Sequence, residues 1–410
     1  MSQVRLGVIG YGRRLQHIVN LIRTNCADAT VVAITDTRGE GIREEVKKQG
    51  LDHETVRIFD DADTMLDSVP LDGVLVGTRC DMHAKLAIKV MKRQMPVFLE
   101  KPIATTMTDL IALREASRGY RSQAVVSFPL RVSPLVLAVR SIVESGKIGA
   151  IGHVQSVNNV PYGSVYFQGW YRDESVTQGL FLQKATHDFD YINFLVQETP
   201  DWVCATTSKQ VFTGDRRSGL RCRDCGENKS CLQSPFNPAT TLVEDWVNPA
   251  DRMCAFAVDT GNEDSGSALI HYASGMHVSY SQNFYARNGA AKRGATLIGY
   301  LGTIEFDWYT NTISVHMHHS KRSEIIKIEE TDGHGGGDAV LARNFIDVIR
   351  NEKPSITPLS TGLMSALLCL KAKESATTRS FQNVTFPTIE YSDGRRTQGA
   401  VVDVTYAKGT

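Results

Sequence analysis

Residues 4–15, VRLGVIGYGRRL, set a six-residue apolar run against Gly10-Tyr11-Gly12 and then a helix-like segment that continues to about Cys26. A strand that stops on Gly-x-Gly before a helix turns backbone N–H groups toward one point at the helix N-terminus. The glycines allow the tight turn and a close approach, and the helix dipole favours negative charge, so the geometry suits a pyrophosphate. The third position of the fingerprint departs from Gly or Ala and holds Leu15. A second β-branched run, TVVAIT at 30–35, ends at Asp36. A carboxylate there accepts hydrogen bonds from the adenosine ribose hydroxyls and repels a 2′-phosphate, which predicts NAD rather than NADP. Arg38, two residues on, could stack on adenine or tolerate a phosphate.

Working outward, GVLV at 73–76 and PVFL at 96–99 are two more short apolar runs, with 81–93 reading as a helix between them and 41–49 as a charged amphipathic helix before them. Uniformly apolar strands that alternate with helices predict a parallel sheet covered on both faces. AVVSF at 124–128 is the last strand of this unit, so residues 1–124 are expected to form a Rossmann-type, doubly wound domain. Beyond it the texture changes to long period-two runs, from IGHVQSVNNV at 151–160 to SEIIKIEE at 323–330, with a tight turn at Ser274-Gly275. These predict an α+β domain over 125–410, built on a large open antiparallel sheet, with tail helices near 337–352 and 360–379. A broad sheet with one bare face tends to be buried by a second copy, so a homodimer or homotetramer is expected.

Composition narrows the function classes. Apolar residues make up 42% of the 410, enough for an ordinary core. Basic and acidic residues balance at 45 each, which gives no electrostatic reason to expect nucleic acid or an anionic membrane surface. No run approaches ~20 apolar residues, and the N-terminus runs straight into a strand, so a soluble cytoplasmic protein is expected.

Glu100-Lys101-Pro102 follows PVFL at the carboxyl edge of the sheet, where such sheets place ligands. A lysine beside a nicotinamide could take or relay the proton of a substrate hydroxyl. Lys184, His187, Asp188 and Tyr191 recur at helical spacing, and a histidine suits proton transfer near neutral pH. Upstream, Tyr162 and the run Trp170-Tyr171-Arg172 combine aromatics with a cation, a set that fits a sugar face bearing a polar or acidic substituent.

GVIGYG, GTRCDMHA, LEKPIA, the Gly179…Lys184…His187…Asp190 segment and HGGGDAVLARNFIDVIR together resemble the Gfo/Idh/MocA oxidoreductases, the glucose–fructose oxidoreductase and inositol dehydrogenase group. The resemblance implies a two-domain fold and hydride transfer between NAD and a secondary hydroxyl of a sugar, sugar derivative or cyclitol. It implies Lys101 as the catalytic lysine, His187 as acid/base, and Glu100 at the nicotinamide ribose. Gly10, Tyr11, Gly12, Arg13, Asp36, Thr37, Arg38, Thr78, Arg79 and His83 would line the cofactor, and Lys101–Pro102 would be cis. Much of the group has Asp four residues before the histidine and Gly two before it. Here those positions are Gln183 and Ala185, and Lys184 adds a cation that would bind an anionic group or polarise an oxygen. Tyr162, Trp170, Arg172, Lys184 and Asp188 are the expected substrate contacts, with Lys184 also a candidate in catalysis. The altered segment keeps open an NAD-dependent glycosidase, which would oxidise, eliminate, hydrate and re-reduce. A non-catalytic dinucleotide sensor is the other alternative, against which the pair Lys101 and His187 argues.

Cys222-x2-Cys225-x5-Cys231 lies in a polar segment. Three thiolates at this spacing could hold a structural Zn²⁺, with the fourth ligand from Cys254, Cys204 or a histidine. A reduced loop or a disulfide would fit the same residues.

Overall fold

The computed structural model describes residues 3–52, 54–240, 247–329, 332–387, 389–390 and 396–397. Among them, six parallel strands form one sheet: β1 (Val4–Ile9), β2 (Ala29–Thr35), β3 (Arg57–Phe59), β4 (Gly73–Val76), β5 (Val97–Leu99) and β6 (Ala124–Val126), in the order β3-β2-β1-β4-β5-β6. The connecting helices are α1 (Arg13–Asn25), α2 (Arg43–Lys48), α3 (Ala62–Ser68), α4 (His83–Lys92) and α5 (Met107–Ser117). The order reverses between β1 and β4, and this switch point is where doubly wound sheets bind ligands at their carboxyl ends. β3, α3 and α5 have no counterpart in the expectations above. β3 is three residues long, too short for a period to show, and the apolar residues of α5 are spread round the helix.

The rest of the chain builds a nine-stranded sheet in the order β14-β13-β12-β11-β7-β10-β9-β8-β15. Its strands are β7 (Ile151–Asn159), β8 (Pro200–Ser208), β9 (Ser265–Tyr272), β10 (His277–Asn283), β11 (Lys292–Gly299), β12 (Gly302–Asp307), β13 (Thr312–Met317), β14 (Ser323–Lys327) and β15 (Gln382–Asn383). The sheet is mostly antiparallel, but its central pair, β7 and β10, runs parallel. Alternation reports one buried face and not strand direction, so sequence period could not reveal this. Burial alternates as expected: Val154, Ala268, Ile270, Val278, Tyr280, Leu297, Ile304 and Phe306 face inward. Over that face lie α6 (Pro134–Glu144), two short turns, α7 (Val165–Gln168) and α8 (Glu174–Thr177), α9 (Thr186–Val196) and the helix Leu359–Thr378.

One late element returns to the first sheet. Helix Gly337–Ile349 packs on α1, with Phe345 edge-on to Phe98 of β5 at 5.8 Å between ring centroids. Ile349 and Phe345 fill the space above Gly73, where a Cβ would stand 2.5 Å from the isoleucine. The face of the parallel sheet beside α1 is thus closed by residues more than 200 positions downstream.

Candidate active site

The β1–α1 turn is built as a phosphate cradle. Gly10 has φ +85°, and a Cβ there would meet the Thr78 backbone at 2.9 Å, so both conformation and space demand glycine. Gly12 caps α1 and has no neighbouring atom within 4 Å of where a Cβ would point, which leaves that side open to a ligand. No acid stands in the first turn of α1 to oppose negative charge. Leu15 is fully buried and lies over Gly77 at the end of β4, its Cγ and both Cδ atoms within 3.0 Å of a notional Cβ. The close packing that a third glycine gives elsewhere is obtained here by removing the side chain from the opposite partner.

Asp36 accepts from the Tyr11 amide at 2.8 Å and takes two bonds from the Arg38 guanidinium, 2.8 and 3.0 Å. Burial raises its pKa, but the bonds from Arg38 and Tyr11 outweigh that and hold it below the ordinary carboxylate value. The Tyr11 side chain points inward, fully buried. His83 spans two loops, with Nδ1 2.8 Å from the Pro102 carbonyl and Nε2 3.2 Å from that of Thr78. A carbonyl faces each ring nitrogen and the neutral ring donates to one of the two, so His83 positions the loops instead of offering a free edge.

At the end of β5, Glu100 accepts from Arg14 Nε at 2.8 Å. Arg14 also clamps Asp338 with bonds of 2.8 and 2.6 Å and donates to Ser127 at 3.0 Å. This guanidinium ties the dinucleotide turn to helix Gly337–Ile349. The Lys101–Pro102 bond is cis, as the resemblance implies. Lys101 Nζ donates to the Gln183 carbonyl at 3.0 Å, one turn ahead of His187. Its pKa falls to about 7, first because burial disfavours the ammonium and then because Lys184 repels it, with Glu100 opposing. The Gln183 side chain turns away to the Thr177 carbonyl at 2.7 Å. Where an acid was expected, the chain uses a backbone oxygen to hold the lysine.

His187 is buried on the first turn of α9, and its Nδ1 has no hydrogen-bond partner among the described residues. Burial, and then Lys101 and Arg293, hold its pKa well below 6.5, so the ring is neutral at neutral pH. Lys184, on a π-helical turn before α9, donates to the Tyr162 hydroxyl and lies over that ring. Asp188 is fully buried and saturated: Asn158 at 2.6 Å and Tyr280 at 2.9 Å on one oxygen, Arg293 Nε at 2.8 Å on the other. It positions Arg293, and a substrate would meet Arg293 before Asp188.

The structure brings Lys101, Lys184, His187 and Tyr162 into one neighbourhood, and places Trp170 and Arg172 elsewhere. Trp170 is stacked between Tyr171, 3.9 Å away, and the Arg79 guanidinium, 3.9 Å above its ring. Arg172 is buried and bonds Asp259 and Thr260 at 2.7 and 2.8 Å. Sequence reasoning missed Arg14, Arg293 and the pair His334–Asp338. His334 Nδ1 is 2.9 Å from Asp338 Oδ2, and its ring centroid lies 5.9 Å from that of His187. The run Gly333-His334-Gly335-Gly336, all at positive φ, is the signal that could have found the last pair. Nothing local marks the two arginines.

Cys222, Cys225 and Cys231 line one small cavity, and Cys254 joins them there. Cys204 lies on β8 beside a separate concavity of about 620 Å³ on the outer face of the large sheet, so it is not a fourth ligand to this set. As the side chains stand, no group of three His, Cys, Asp or Glu among the described residues is assembled to hold a metal ion. No helix among them is long and apolar enough to cross a membrane.

Comparison with known proteins agrees with this architecture. Residues 4–128 match an oxidoreductase family with an NAD-binding Rossmann fold, and residues 136–305 match the GFO/IDH/MocA C-terminal domain. A protein named putative oxidoreductase YteT, from Bacillus subtilis, is 26% identical over 309 residues, 67% of this chain and 72% of that protein. Myo-inositol 2-dehydrogenase of Thermotoga maritima is 28% identical over 211 residues, 51% of this chain and 59% of that one. Among solved structures, levoglucosan dehydrogenase in complex with NADH and levoglucosan superposes with a TM-score of 0.74 at 17% identity, covering 93% of this chain and all of that one. An oxidoreductase domain protein from Kribbella flavida gives 0.76 at 17% identity over 94% of this chain and 100% of its own.

Proposed function

The chain belongs to the GFO/IDH/MocA oxidoreductases with an NAD-binding Rossmann fold, and on that premise we propose that it is a dehydrogenase acting on a secondary hydroxyl of a sugar, sugar derivative or cyclitol. The observation that carries the reading is Lys101: a lysine with a pKa near 7, held by the Gln183 carbonyl beside His187, at the carboxyl edge of the dinucleotide sheet. Relatives named as inositol and levoglucosan dehydrogenases support the substrate class.

Bound NAD supplies the hydride acceptor. The open side of Gly12 would take its pyrophosphate, and Asp36 the adenosine ribose, which favours NAD over NADP. Glu100, fixed by Arg14, would border the nicotinamide ribose. Arg13, Thr37, Thr78 and Arg79 would complete the lining, with Tyr11 contributing backbone and His83 support. In oxidation, Lys101 as a neutral amine takes the hydroxyl proton, and neutral His187 accepts or relays it toward His334. Lys184 and Arg293 place positive charge where negative charge grows on oxygen, which lowers the barrier to deprotonation. Tyr162 and Lys184 would meet the substrate, while Trp170 and Arg172 are engaged with Arg79 and with Asp259.

No observation favours the glycosidase alternative: in the altered segment that kept it open, Lys184 is engaged with Tyr162. The bare face of the nine-stranded sheet, with Leu269 half exposed, would be covered by a second copy in a homodimer or homotetramer. The test is a panel of sugars, cyclitols and aryl glycosides with NAD, reading NADH and released aglycone together. NADH formed in proportion to substrate with glycosidic bonds intact supports the reading. Aglycone release without net NADH would sink it.

A further inference from the structure

We propose that His334 is the proton exit of the active site: anchored by Asp338, it takes the substrate proton from buried His187 and releases it to solvent. The inference rests on the dehydrogenase reading above. His187 is 4% exposed, and its Nδ1 has no hydrogen-bond partner among the described residues. A buried nitrogen in that state calls for a partner. The His334 ring stands 5.9 Å away between centroids, tilted by 37°. That is close enough for one water molecule to join a nitrogen of each ring. The His334 side chain is 40% exposed, so the two rings span the step from a buried proton acceptor to bulk water. Asp188, next to His187 in the chain, offers no alternative, because Asn158, Tyr280 and Arg293 already saturate it.

Asp338 fixes the tautomer of the outer ring. Its Oδ2 is 2.9 Å from His334 Nδ1, and Arg14 donates to both of its oxygens at 2.8 and 2.6 Å. Burial by itself would raise the Asp338 pKa, but the bonds from Arg14, His17 and His334 outweigh it and hold the group well below the usual carboxylate range. An ionised carboxylate only accepts, so Nδ1 carries the hydrogen and Nε2 is the lone-pair nitrogen of the neutral ring. Asp338 takes up no proton itself and is a positioning residue. The backbone shows the same commitment. Gly333, His334, Gly335 and Gly336 all have positive φ, with His334 at +50°. Glycine adopts that region freely and histidine only under strain, so a histidine inside a glycine run stands there for its side chain. The run is pressed onto its surroundings: a Cβ at Gly337 would stand 1.9 Å from the Pro129 carbonyl oxygen.

In oxidation the substrate O–H bond breaks as its carbon gives a hydride to bound NAD. The proton passes to the Lys101 amine, from that ammonium to His187, and from His187 to His334 Nε2. His334 returns to neutrality by protonating water. One alcohol yields one carbonyl, one reduced cofactor and one proton in solution, and each relay group ends as it began. Burial, and then Lys101 and Arg293, disfavour the charged form of His187, so it hands the proton on instead of keeping it. Reduction runs the same chain inward. Arg14 also holds Glu100, at 2.8 Å, so the carboxylate behind His334 and the one expected at the nicotinamide ribose are fixed by one guanidinium.

The test removes the ring without straining the full chain. Glycine suits the positive φ at 334, so His334→Gly should fold as the native protein does and bind NADH with native affinity. With a sugar or cyclitol that the native chain oxidises, its single-turnover formation of NADH should be about tenfold slower at unchanged KM, a smaller loss than the ~10²–10⁴-fold expected of a group that takes the substrate proton directly. Added imidazole should restore the rate in proportion to its concentration and leave the native rate unchanged, because the vacated position opens to solvent. A second readout needs no turnover: nitrogen NMR of the histidine rings, compared between the native chain and His334→Gly, should show His334 as the Nδ1–H tautomer. A native rate in the variant, a slow rate that imidazole does not restore, or an Nε2–H tautomer would each overturn the relay and leave the dehydrogenase reading standing. A native chain that forms no NADH from any sugar or cyclitol overturns that reading and the relay with it.

Discussion

The two sides of the cleft hold their reactive groups by different means. On the dinucleotide side, Gly10, Gly12, Asp36, Glu100 and Lys101 all sit at strand ends, where parallel-sheet geometry decides where they go. On the other side, Lys184, His187 and Arg293 come from a π-helical turn, an α-helix and a distant strand, and two of them are fixed by side chains: Tyr162 under Lys184, and Asp188 under Arg293. The first side is positioned by backbone and tolerates change away from its strand ends. The second is positioned by a buried polar network, in which removing one member strands another.

The largest effect should come from Lys101, whose bond to the Gln183 carbonyl joins the two sides. Lys101→Ala should lower kcat by about 10²–10⁴-fold, the usual cost of a proton-transfer group, while NADH still binds in a fluorescence titration. A loss below tenfold would mean that Lys101 is not the base. In the native enzyme, kcat/KM for oxidation should rise with pH through about 7, because Lys101 must be neutral to accept a proton and its pKa lies there instead of at 10.5. Reduction needs the ammonium and should fall over the same range. The next effect belongs to the networked side. Arg293→Met leaves Asp188 buried without its cation and should cost roughly 3–5 kcal/mol in denaturant unfolding. Adding Asp188→Asn should recover part of that loss. Equal stability of Arg293→Met and the native protein would erase the contrast between the two sides.

This contrast also explains what could be read in advance. Strand-end motifs are local: Gly-x-Gly after an apolar run, an acid after the second run and Glu-Lys-Pro after the fourth each carry their structural context within a few residues. Lys184 and His187 were legible for the same reason, as neighbours on one turn. Arg14 and Arg293 were not, because their partners lie 324 and 105 residues away and only the folded chain reveals them. Arg172 pairs with the exposed Asp259, 87 residues away, a meeting that its neighbours in sequence do not announce. The parallel pairing of β7 with β10 was invisible because alternation is blind to direction.

Gly77→Ala probes the backbone-positioned side where it departs from its own fingerprint. A Cβ at 77 would stand 2.6 Å from Cγ of the fully buried Leu15, so overpacking should destabilise by about 1–3 kcal/mol. Pairing it with Leu15→Ala should relieve part of the strain. If Gly77→Ala unfolds at the native temperature, the two residues do not exchange roles as the packing implies.

The smallest effect is expected at Asp36, and it bears on whether even the backbone-positioned side depends on a side-chain pair. Asp36 and Arg38 neutralise each other through two bonds. The carboxylate that should meet the ribose hydroxyls is thus oriented by the same guanidinium that could accept a 2′-phosphate. Asp36→Ala removes one charged acceptor, worth about 1.5 kcal/mol or roughly tenfold in NADH affinity, and leaves Arg38 held only by Glu45 and the Tyr11 carbonyl. NADPH affinity should rise in the same variant. If NADH weakens and NADPH does not strengthen, Arg38 serves only to orient Asp36, and the preference for NAD lies in the carboxylate alone. If NADH is unaffected, the ribose is held by the turn's backbone, and the dinucleotide side is more independent of its side chains than the Asp36–Arg38 pair suggests.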